Sequence, residues 1–339
     1  MVSARPHPRS IAVLGAGSWG TALAIHLARA GHAVTLWAHR PEHAEQLAIA
    51  GRNARYLPDT AFPSGLTVQA DLAATVATID TILVVVPSHA LRSVLRTLQP
   101  HITPATRIIW ATKGLEQGTA CLPHQIVEEV LGTRAMAALS GPTFAREVAA
   151  GLPAAVAVAS RDQHFAREVA DLFHDGRFRV YTSPDLVGVE VGGAVKNVLA
   201  IATGAADGLH FGANSRAALI TRGLAEVMRL GLALGGQAAT FMGLAGLGDL
   251  VLTCTDDQSR NRRLGLGLAR GLTSEQAHLE IGQVVEGVQA ASAVWTLAQR
   301  QGVRMPITEQ VYRILYEGLN PLAAVEALTQ GPAKPEFTG

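Results

Sequence analysis

The sequence predicts an α/β amino-terminal domain with a mostly parallel sheet, followed by an all-helical carboxyl-terminal domain. Three observations predict this fold class. Short β-branched runs alternate with amphipathic segments in the first half, these runs stop beyond Pro184, and Ala/Leu/Gly-rich stretches with helical spacing continue to about residue 328. We therefore place a nucleotide-binding domain at residues 1–186, a helical substrate domain at 187–330 and a flexible tail at 331–339.

Strands that alternate with helices are typical of βαβ units, in which the parallel sheet is buried on both faces. The predicted strands are bounded by Gly, Pro or polar residues; they cover residues 11–15, 33–38, 81–86, 107–111, 135–139, 154–159 and 177–181. The predicted helices among them cover residues 19–30, 89–98 and 163–173.

The composition excludes several classes of protein. With 48% hydrophobic residues and a net charge of +1, the chain is neither disordered nor able to attract polyanions such as nucleic acids. Cys121 and Cys254 are far apart and lack metal-type spacing, so we interpret both as small buried residues in a reducing compartment, and we expect no metal site. The polar start is not a signal peptide, and glycine and charge interrupt the apolar windows. We expect a cytoplasmic protein without a membrane span.

The first motif, Gly15-x-Gly17-x-x-Gly20, follows a predicted strand and opens a predicted helix. Gly15 would make the tight turn, Gly17 would let the backbone approach a pyrophosphate, and Gly20 would allow close helix–strand packing. The phosphates would meet the N–H groups of the helix N-terminus. This context predicts a Rossmann-type dinucleotide site.

The end of the second strand bears on the choice of cofactor. The stretch Trp37-Ala38-His39-Arg40 has no carboxylate before Glu42, whereas a site that prefers NAD usually has Asp or Glu there to bind the ribose hydroxyls. Arg40 can pair with a 2′-phosphate, which favours NADP(H). The alternative is that Arg40 is a solvated loop charge and that both NADP(H) and NAD(H) are accepted.

Lysine is scarce in this chain. Among the 28 basic residues only Lys113, Lys196 and Lys334 are lysine, and the others are arginine. Because arginine keeps its proton near neutral pH and a desolvated lysine can lose it, the two internal lysines suggest proton chemistry. Lys113 follows a predicted strand and so lies at the sheet edge where ligands bind, in a catalytic or ligand-binding role.

Two further polar stretches could contact a substrate. SGPTFA, residues 140–145, offers Gly141, Thr143 and backbone N–H groups, although on its own it could be only a turn and a helix cap. Residues 243–265 combine Asp249 and Thr253 with the cluster SRNRR at 259–263. Guanidinium, amide and hydroxyl groups together can bind a phosphate, and the alternative is a solvated basic loop.

Lys196 lies in the middle of an apolar helical stretch, residues 189–208. Gly192, Gly193 and Ala200 share its helical face, so we expect the ammonium to face open space rather than a packed core. Desolvation and a second nearby cation would lower its pKa, which would make Lys196 an acid/base group for carbonyl–alcohol interconversion. Asn197 could hold the substrate or the lysine by hydrogen bonds.

Taken together, these motifs resemble those of NAD(P)-dependent sn-glycerol-3-phosphate dehydrogenases of the soluble bacterial type. The resemblance runs from about Arg9 to Leu328, in family order. It rests on residues 15–22 (GAGSWGTA), 113–114 (KG), 140–145 (SGPTFA), 193–197 (GAVKN), 243–250 (GLAGLGDL) and 259–262 (SRNR). It implies a Rossmann-type domain, a helical domain with the active site between them, and reduction of dihydroxyacetone phosphate to sn-glycerol 3-phosphate for phospholipid synthesis.

The resemblance also implies roles for individual residues. Lys196 would exchange the proton at C2, and Lys113 would contact both substrate and cofactor. The residues implied to line the substrate are Gly141, Thr143, Asn197, Asp249, Thr253, Ser259, Arg260 and Asn261, with Arg260 and Asn261 on the phosphate. Those implied to contact the cofactor, besides Lys113, Arg260 and the three glycines, are Ser18, Trp19, His39, Arg40, Ala145, Val284 and Glu286.

Two rival interpretations remain. A lysine-dependent reductase of a small keto or hydroxy acid shares the two-domain layout but does not need the SRN cluster. A non-catalytic NADPH-binding protein would keep the glycines but has no reason to keep Lys113, Lys196 and Asp249 together. Exposed helical faces in the second domain are compatible with a homodimer.

Overall fold

A computed structural model describes residues 8–329. The strands are β1 (Ser10–Leu14), β2 (Ala33–Trp37), β3 (Arg52–Asn53), β4 (Leu57–Ala61), β5 (Leu66–Gln69), β6 (Thr81–Val84), β7 (Arg107–Trp110), β8 (Met136–Ser140), β9 (Ala154–Ala159) and β10 (Phe178–Ser183). The helices up to residue 173 are α1 (Ser18–Arg29), α2 (Pro41–Ala50), α3 (Leu72–Val76), α4 (Ser88–Leu98), α5 (Pro123–Leu131), α6 (Ala145–Ala150) and α7 (Gln163–Phe173).

From residue 186 onward the described chain is helical. The helices are α8 (Leu186–Gly208), α9 (Gly212–Ala233), α10 (Ala238–Phe241), α11 (Asp249–Thr255), α12 (Arg260–Ala269), α13 (Ser274–Ile281), α14 (Glu286–Arg300), α15 (Pro306–Tyr316) and α16 (Pro321–Thr329). One turn of π-helix, Leu244–Gly248, precedes α11, and we call it the π-turn. The predicted change to helical structure beyond Pro184 is confirmed, whereas the predicted tail at 331–339 lies outside the described residues.

Eight strands form one sheet in the order β10-β9-β8-β7-β6-β1-β2-β5. All neighbouring pairs are parallel except β8 and β9, so the predicted mostly parallel sheet is confirmed. Because β1, β2, β6, β7 and β8 run in the same direction, their carboxyl ends lie at one edge of the sheet. The motif glycines, Arg40, Lys113 and Gly141 all follow these strands.

The sequence analysis missed β5 and the two-stranded hairpin β3–β4. β4 contains a proline and an aspartate, residues that are depleted in strands, and β3 and β5 are too short for a periodic pattern. Of the two cysteines interpreted as buried, Cys254 is buried but Cys121 is only half-buried, because it lies in the loop before α5.

Alternate strand residues contribute to cores on opposite faces of the sheet. Ile11 and Val13 pack with α1, α6 and α7, whereas Ala12 and Leu14 pack with α4, α5 and the first turn of α8. A third core surrounds the rest of α8 and includes residues of α9, α11, α12, α14 and α15. Helix α8 therefore joins the sheet to the helical region and is the central element of the latter.

Two stretches pass a length and hydropathy test for a membrane span. They are Leu186–Gly208 and Ala238–Thr255, each with a mean hydropathy of 1.4, and 89% and 39% of their windows are buried in the fold. Both stretches contain glycines and at least one charged residue, as the sequence analysis noted, and they qualify by length and composition alone. For α8 the burial accounts for the apolar composition, since it is a core helix.

Candidate active site

The three motif glycines serve different purposes. Gly15 has φ +122°, and a Cβ on it would lie 2.3 Å from the Val85 carbonyl oxygen. A Cβ on Gly20 would lie 1.9 Å from the Gly15 oxygen, whereas one on Gly17 has nothing within 4 Å. Packing inside the protein therefore requires Gly15 and Gly20, and only Gly17 faces open space. Gly17 is also the N-cap of α1 and provides no side-chain cap, so the first N–H groups of this helix have no side-chain partner there.

The carboxyl end of β2 presents two exposed side chains, His39 and Arg40. Arg40 is the N-cap residue of α2, and it forms no ion pair with another residue in 8–329. The carboxylate that would bind ribose hydroxyls is absent at this edge, as the sequence indicated. His39 and Arg40, rather than a carboxylate, therefore directly follow β2.

Lys113 follows β7 at the same edge of the sheet. The Thr112 hydroxyl donates to the Val86 carbonyl at 2.8 Å and fixes the backbone there. Lys113 Nζ donates to the Gly141 carbonyl oxygen at 3.1 Å, and the Thr143 hydroxyl donates to the same oxygen at 3.3 Å. The SGPTFA stretch and Lys113 are thus joined at Gly141, at the ends of two neighbouring strands.

One buried carboxylate joins the two internal lysines. Asp249 has no exposed surface; its Oδ1 lies 2.5 Å from Lys196 Nζ and its Oδ2 lies 2.7 Å from Lys113 Nζ. Lys196 Nζ also donates to the Thr253 hydroxyl oxygen at 2.9 Å. The structure therefore brings together four predicted site residues from three segments: the end of β7, the middle of α8 and the first two turns of α11.

Close backbone packing places Asp249 against α8. A Cβ on Gly192 would lie 2.4 Å from the Ala245 carbonyl oxygen, and one on Gly246 would lie 2.1 Å from the Phe241 oxygen. The π-turn can therefore lie directly on α8, and Asp249 begins the next helix beside Lys196. Single π-turns of this kind are frequent at functional sites.

The expectation that Lys196 faces open space is wrong. The space beside Gly192 is filled by the Ala245 carbonyl, and a Cβ on Gly193 would meet Ser140 Oγ at 3.0 Å and the Lys113 side chain at 3.7 Å. Lys196 is only 7% exposed. The glycines on this face permit close approach by neighbouring segments instead of leaving a cavity.

The surroundings of Lys196 shift its proton affinity. Burial lowers the pKa of Lys196 from 10.5 to about 8; the charge of Asp249 opposes this shift and the charge of Lys113 reinforces it. The lowered pKa agrees with the expectation from sequence, which did not contain the carboxylate that opposes the shift. A lysine in this state can give or take a proton near neutral pH.

A second network connects α8, α12 and α14. Asn261 Nδ2 donates to Asn197 Oδ1 at 2.9 Å, and the Gly287 N–H donates to Asn261 Oδ1 at 2.8 Å. Asn197 Nδ2 is buried and has no partner among the described residues. The asparagines therefore hold each other beside Lys196, and the Asn197 amide group still has N–H donors to offer.

The basic cluster at 259–263 starts a helix, so the alternative of a solvated basic loop is wrong. Ser259 caps α12 by accepting the Arg262 N–H at 3.2 Å, and Arg260 is the first residue of that helix, half-buried. Arg262 is turned away to Asp207 and Asp257. Of the cluster's arginines, Arg262 thus supports the fold, and Arg260 has no ion pair among the described residues.

Two family models match the chain: the NAD-dependent glycerol-3-phosphate dehydrogenase N-terminus over residues 10–166 and the corresponding C-terminus over residues 185–326. A protein named glycerol-3-phosphate dehydrogenase [NAD(P)+] from Methylococcus capsulatus is 56% identical over 96% of this chain and 98% of its own. The chain belongs to the NAD-dependent glycerol-3-phosphate dehydrogenase family.

Further relatives cover nearly the whole chain. A protein of the same name from Yersinia pestis is 55% identical over 98% of this chain and 99% of its own. The crystal structure of glycerol-3-phosphate dehydrogenase from Coxiella burnetii has a TM-score of 0.94 and 50% identity, and it covers 96% of this chain and 100% of that chain. The similarity between this chain and these two relatives thus includes both the sheet and the helical region.

The other residues implied by the family resemblance lie at separate places in the fold. Ser18 and Trp19 form the first turn of α1, and Ala145 begins α6. Val284 is exposed in the loop before α14, and Glu286 begins that helix close enough for its charge to raise the pKa of Lys196. No described contact joins these five residues to one another.

Two polar features of this family member went unnoticed in the sequence. The Ser140 hydroxyl is buried beside Lys113 without a described partner. Glu190 and His124 form a buried pair, Oε2 to Nδ1, at 2.5 Å. Residues 66 positions apart leave no local signal of such a pair. The serine could have been found, because it directly follows a predicted strand and precedes Gly141.

Proposed function

We propose that this chain catalyses the reversible reduction of dihydroxyacetone phosphate to sn-glycerol 3-phosphate with NADPH or NADH. The observation that carries the proposal is the buried carboxylate of Asp249 between Lys113 and Lys196, at the carboxyl edge of a dinucleotide-type sheet. The names of the relatives from Methylococcus capsulatus and Yersinia pestis support the same reaction.

The turn around Gly17 fits a dinucleotide. A pyrophosphate needs backbone N–H donors and room to approach them, and Gly17 offers both, as the uncapped start of α1 with no atom near its missing side chain. Ser18, Trp19, His39 and Arg40 would hold other parts of the cofactor, and Arg40 favours NADP(H) over NAD(H). Hydride transfer is the chemistry that a nicotinamide cofactor supplies when it is bound.

Lys196 moves the proton at the C2 oxygen. As an ammonium it protonates the developing alkoxide during reduction, and as a neutral amine it accepts the hydroxyl proton during oxidation. A pKa of about 8 makes both forms available near neutral pH. Asp249 and Thr253 hold Nζ in place, so the position of the proton is set before the substrate binds.

Lys113 stabilises the alkoxide charge, and the cluster at the start of α12 holds the phosphate. Arg260 supplies the unpaired guanidinium, Ser259 a hydroxyl, and Asn261 and Asn197 their remaining N–H groups. The Gly141 carbonyl oxygen accepts from Lys113 Nζ, and the Thr143 hydroxyl donates to that same oxygen. Fixing the phosphate determines which carbon faces the cofactor.

Loss of NADPH absorbance tests the reaction. We expect oxidation of NADPH with dihydroxyacetone phosphate and none with ketopantoate or without substrate. Oxidation with ketopantoate would instead support the keto-acid reductase. Oxidation with neither substrate would support a non-catalytic protein. Running the assay with NADH measures the cofactor preference.

Two variants test the residue roles. Lys196→Met should lose turnover while the chain still binds cofactor, and near-normal turnover would refute the acid/base role. Arg260→Ala should raise KM for the phosphorylated substrate by about ten- to a hundredfold, the loss expected for one charged hydrogen bond. An unchanged KM would refute its role as phosphate anchor.

We also propose domains at 1–186 and 187–330, a cytoplasmic location, a role in supplying glycerol phosphate for phospholipids, and a homodimer. The gap between the two family models, from 166 to 185, supports the domain boundary. Exposed apolar side chains of the helical region, such as Leu232 and Met242, support the dimer. Sedimentation of the full chain would test the homodimer, and a monomer at all concentrations would refute it.

A further inference from the structure

The hairpin β3–β4 lies beside the glycine motif, although it is 32 to 37 residues away in sequence. The side chain of Asn53 donates from Nδ2 to the Ala16 carbonyl oxygen at 3.1 Å and to the Thr21 hydroxyl oxygen at 2.8 Å. Asn53 is fully buried, so these bonds fix the hairpin to the first turn of α1. The residues that follow Asn53 are therefore held near the proposed nucleotide site.

Tyr56 of this hairpin links Arg55 to the first turn of α2. The Arg55 guanidinium lies over the Tyr56 ring, 5.3 Å from its centroid, and the Tyr56 ring meets the His43 ring edge-on at 6.4 Å. Arg40 is the N-cap residue of α2, and His43 is its third residue. Arg40 and Arg55, from separate segments, are both close enough to His43 for their charges to act on its ring.

Glu42 is the carboxylate nearest to Arg40 in sequence, and it forms no described ion pair with either arginine. Arg40 and Arg55 are exposed and form no ion pair with another residue in 8–329. Burial lowers the pKa of His43, and the charges of Arg40, Arg55 and His39 lower it further, which favours the neutral ring. His43 Nε2 is buried without a partner among the described residues, the condition of a polar atom that a ligand or water completes.

We propose that Arg40 and Arg55, together with the neighbouring His43, form a two-armed cationic clamp for the 2′-phosphate of NADP(H). The proposal rests on the proposed function, because it assigns the clamp to the cofactor of that reaction. Two guanidinium groups can bind one phosphate from two sides. NADP(H) carries the 2′-phosphate, and NAD(H) lacks it. Tyr56 holds the Arg55 guanidinium in position before the nucleotide arrives. The preference for NADP(H) then depends on the hairpin as well as on the end of β2.

Calorimetric titration of the full chain with adenosine 2′,5′-bisphosphate and with 5′-AMP tests the clamp without catalysis. We expect the wild-type chain to bind the bisphosphate more tightly. Arg55→Ala and Arg40→Ala should each weaken bisphosphate binding by about ten- to a hundredfold and change 5′-AMP binding little, since each removes one charged hydrogen-bonding group. Arg55→Gln keeps the side-chain length and should show the same loss.

Arg52→Ala is the matched control. Arg52 is an exposed arginine of the same hairpin, and its guanidinium contacts only the Pro58 carbonyl at 3.5 Å among the described residues. The Arg52→Ala variant should leave the affinities for the bisphosphate and for 5′-AMP unchanged. Equal binding of the two nucleotides by the wild-type chain, or equal effects of Arg55→Ala on both, would overturn the clamp.

Steady-state assays with dihydroxyacetone phosphate separate this proposal from the reaction itself. If Arg55→Ala lowers kcat/KM for NADPH by the same factor as the bisphosphate affinity and leaves kcat/KM for NADH unchanged, the clamp acts in the reaction. If no variant, including wild type, oxidises either cofactor, the proposed function fails while the titrations still decide the clamp.

Discussion

Replacing Asp249 by asparagine should move the pH dependence of the reaction to lower pH rather than unfold the protein. Asp249 has no exposed surface and lies 2.5 Å from Lys196 Nζ and 2.7 Å from Lys113 Nζ. Leaving a buried charge without its partner typically costs about 3–5 kcal/mol. Lys196 can avoid this cost by losing its proton, since with a pKa of about 8 neutralisation at pH 7 costs about 1.4 kcal/mol.

The direction of the shift follows from the charges. The carboxylate of Asp249 raises the pKa of Lys196 against desolvation, so its removal lowers that pKa by about 1–3 pH units, the range seen for close charge pairs. Oxidation of glycerol 3-phosphate needs neutral Lys196 and would keep its rate to lower pH. Reduction needs the ammonium and would already be slow at pH 8.

The scarcity of lysine makes a direct assay practical. In a chain labelled with ¹³C/¹⁵N-lysine, three side chains give signals, and the signal lost in Lys196→Arg identifies Lys196. We expect it to titrate near pH 8 in the wild-type chain and at lower pH in Asp249→Asn, with initial rates in both directions following the same change. Asp257→Asn is the control, because Asp257 is an exposed partner of Arg262. An equal or higher pKa in Asp249→Asn would refute the reasoning.

Two further predictions concern glycine and a buried pair. Gly17→Ala should keep the wild-type Tm but weaken nucleotide binding at least tenfold. Gly20→Ala should lower the Tm sharply, because its Cβ would lie 1.9 Å from the Gly15 oxygen. Thermal melts of both variants with and without NADPH compare them, and equal Tm values would contradict the packing argument. His124→Ala should lower the free energy of unfolding by about 3–5 kcal/mol, since it leaves Glu190 buried without its partner. Glu190→Gln, which removes the charge, should lower it less in the same urea titration, and the reverse order would contradict the account.

Features with a local signal were predictable from sequence. The glycine motif, the strands from β6 to β10 and the helical region from α8 onward each depend on residues close in the chain, and the sheet edge then followed from the parallel order. The bridge through Asp249 was not predictable. It joins residues separated by 53 and 136 positions, and only the packing of the π-turn on α8 brings them together.

Glycine shows where pattern reasoning fails. Gly17 and Gly192 are both glycines near a functional group, and both were interpreted as sites that leave room. Gly17 does face open space, whereas the space beside Gly192 is occupied by the Ala245 carbonyl. A missing side chain in the sequence does not reveal whether a ligand, solvent or a neighbouring backbone uses the space. That distinction needs the three-dimensional structure.

The glycines of α8 have a further consequence for how the molecule folds. Interior glycines such as Gly192, Gly193 and Gly204 each disfavour an isolated helix by roughly 1 kcal/mol relative to alanine. A Cβ on each of them would lie within 3.0 Å of an atom of another segment. This helix therefore gains its stability from elements that are synthesised after it, including α11 and α12. A nascent chain that ends before residue 249 lacks both those elements and the partner of Lys196. Chemical competence is consequently acquired late in folding, once the helical region has assembled around α8.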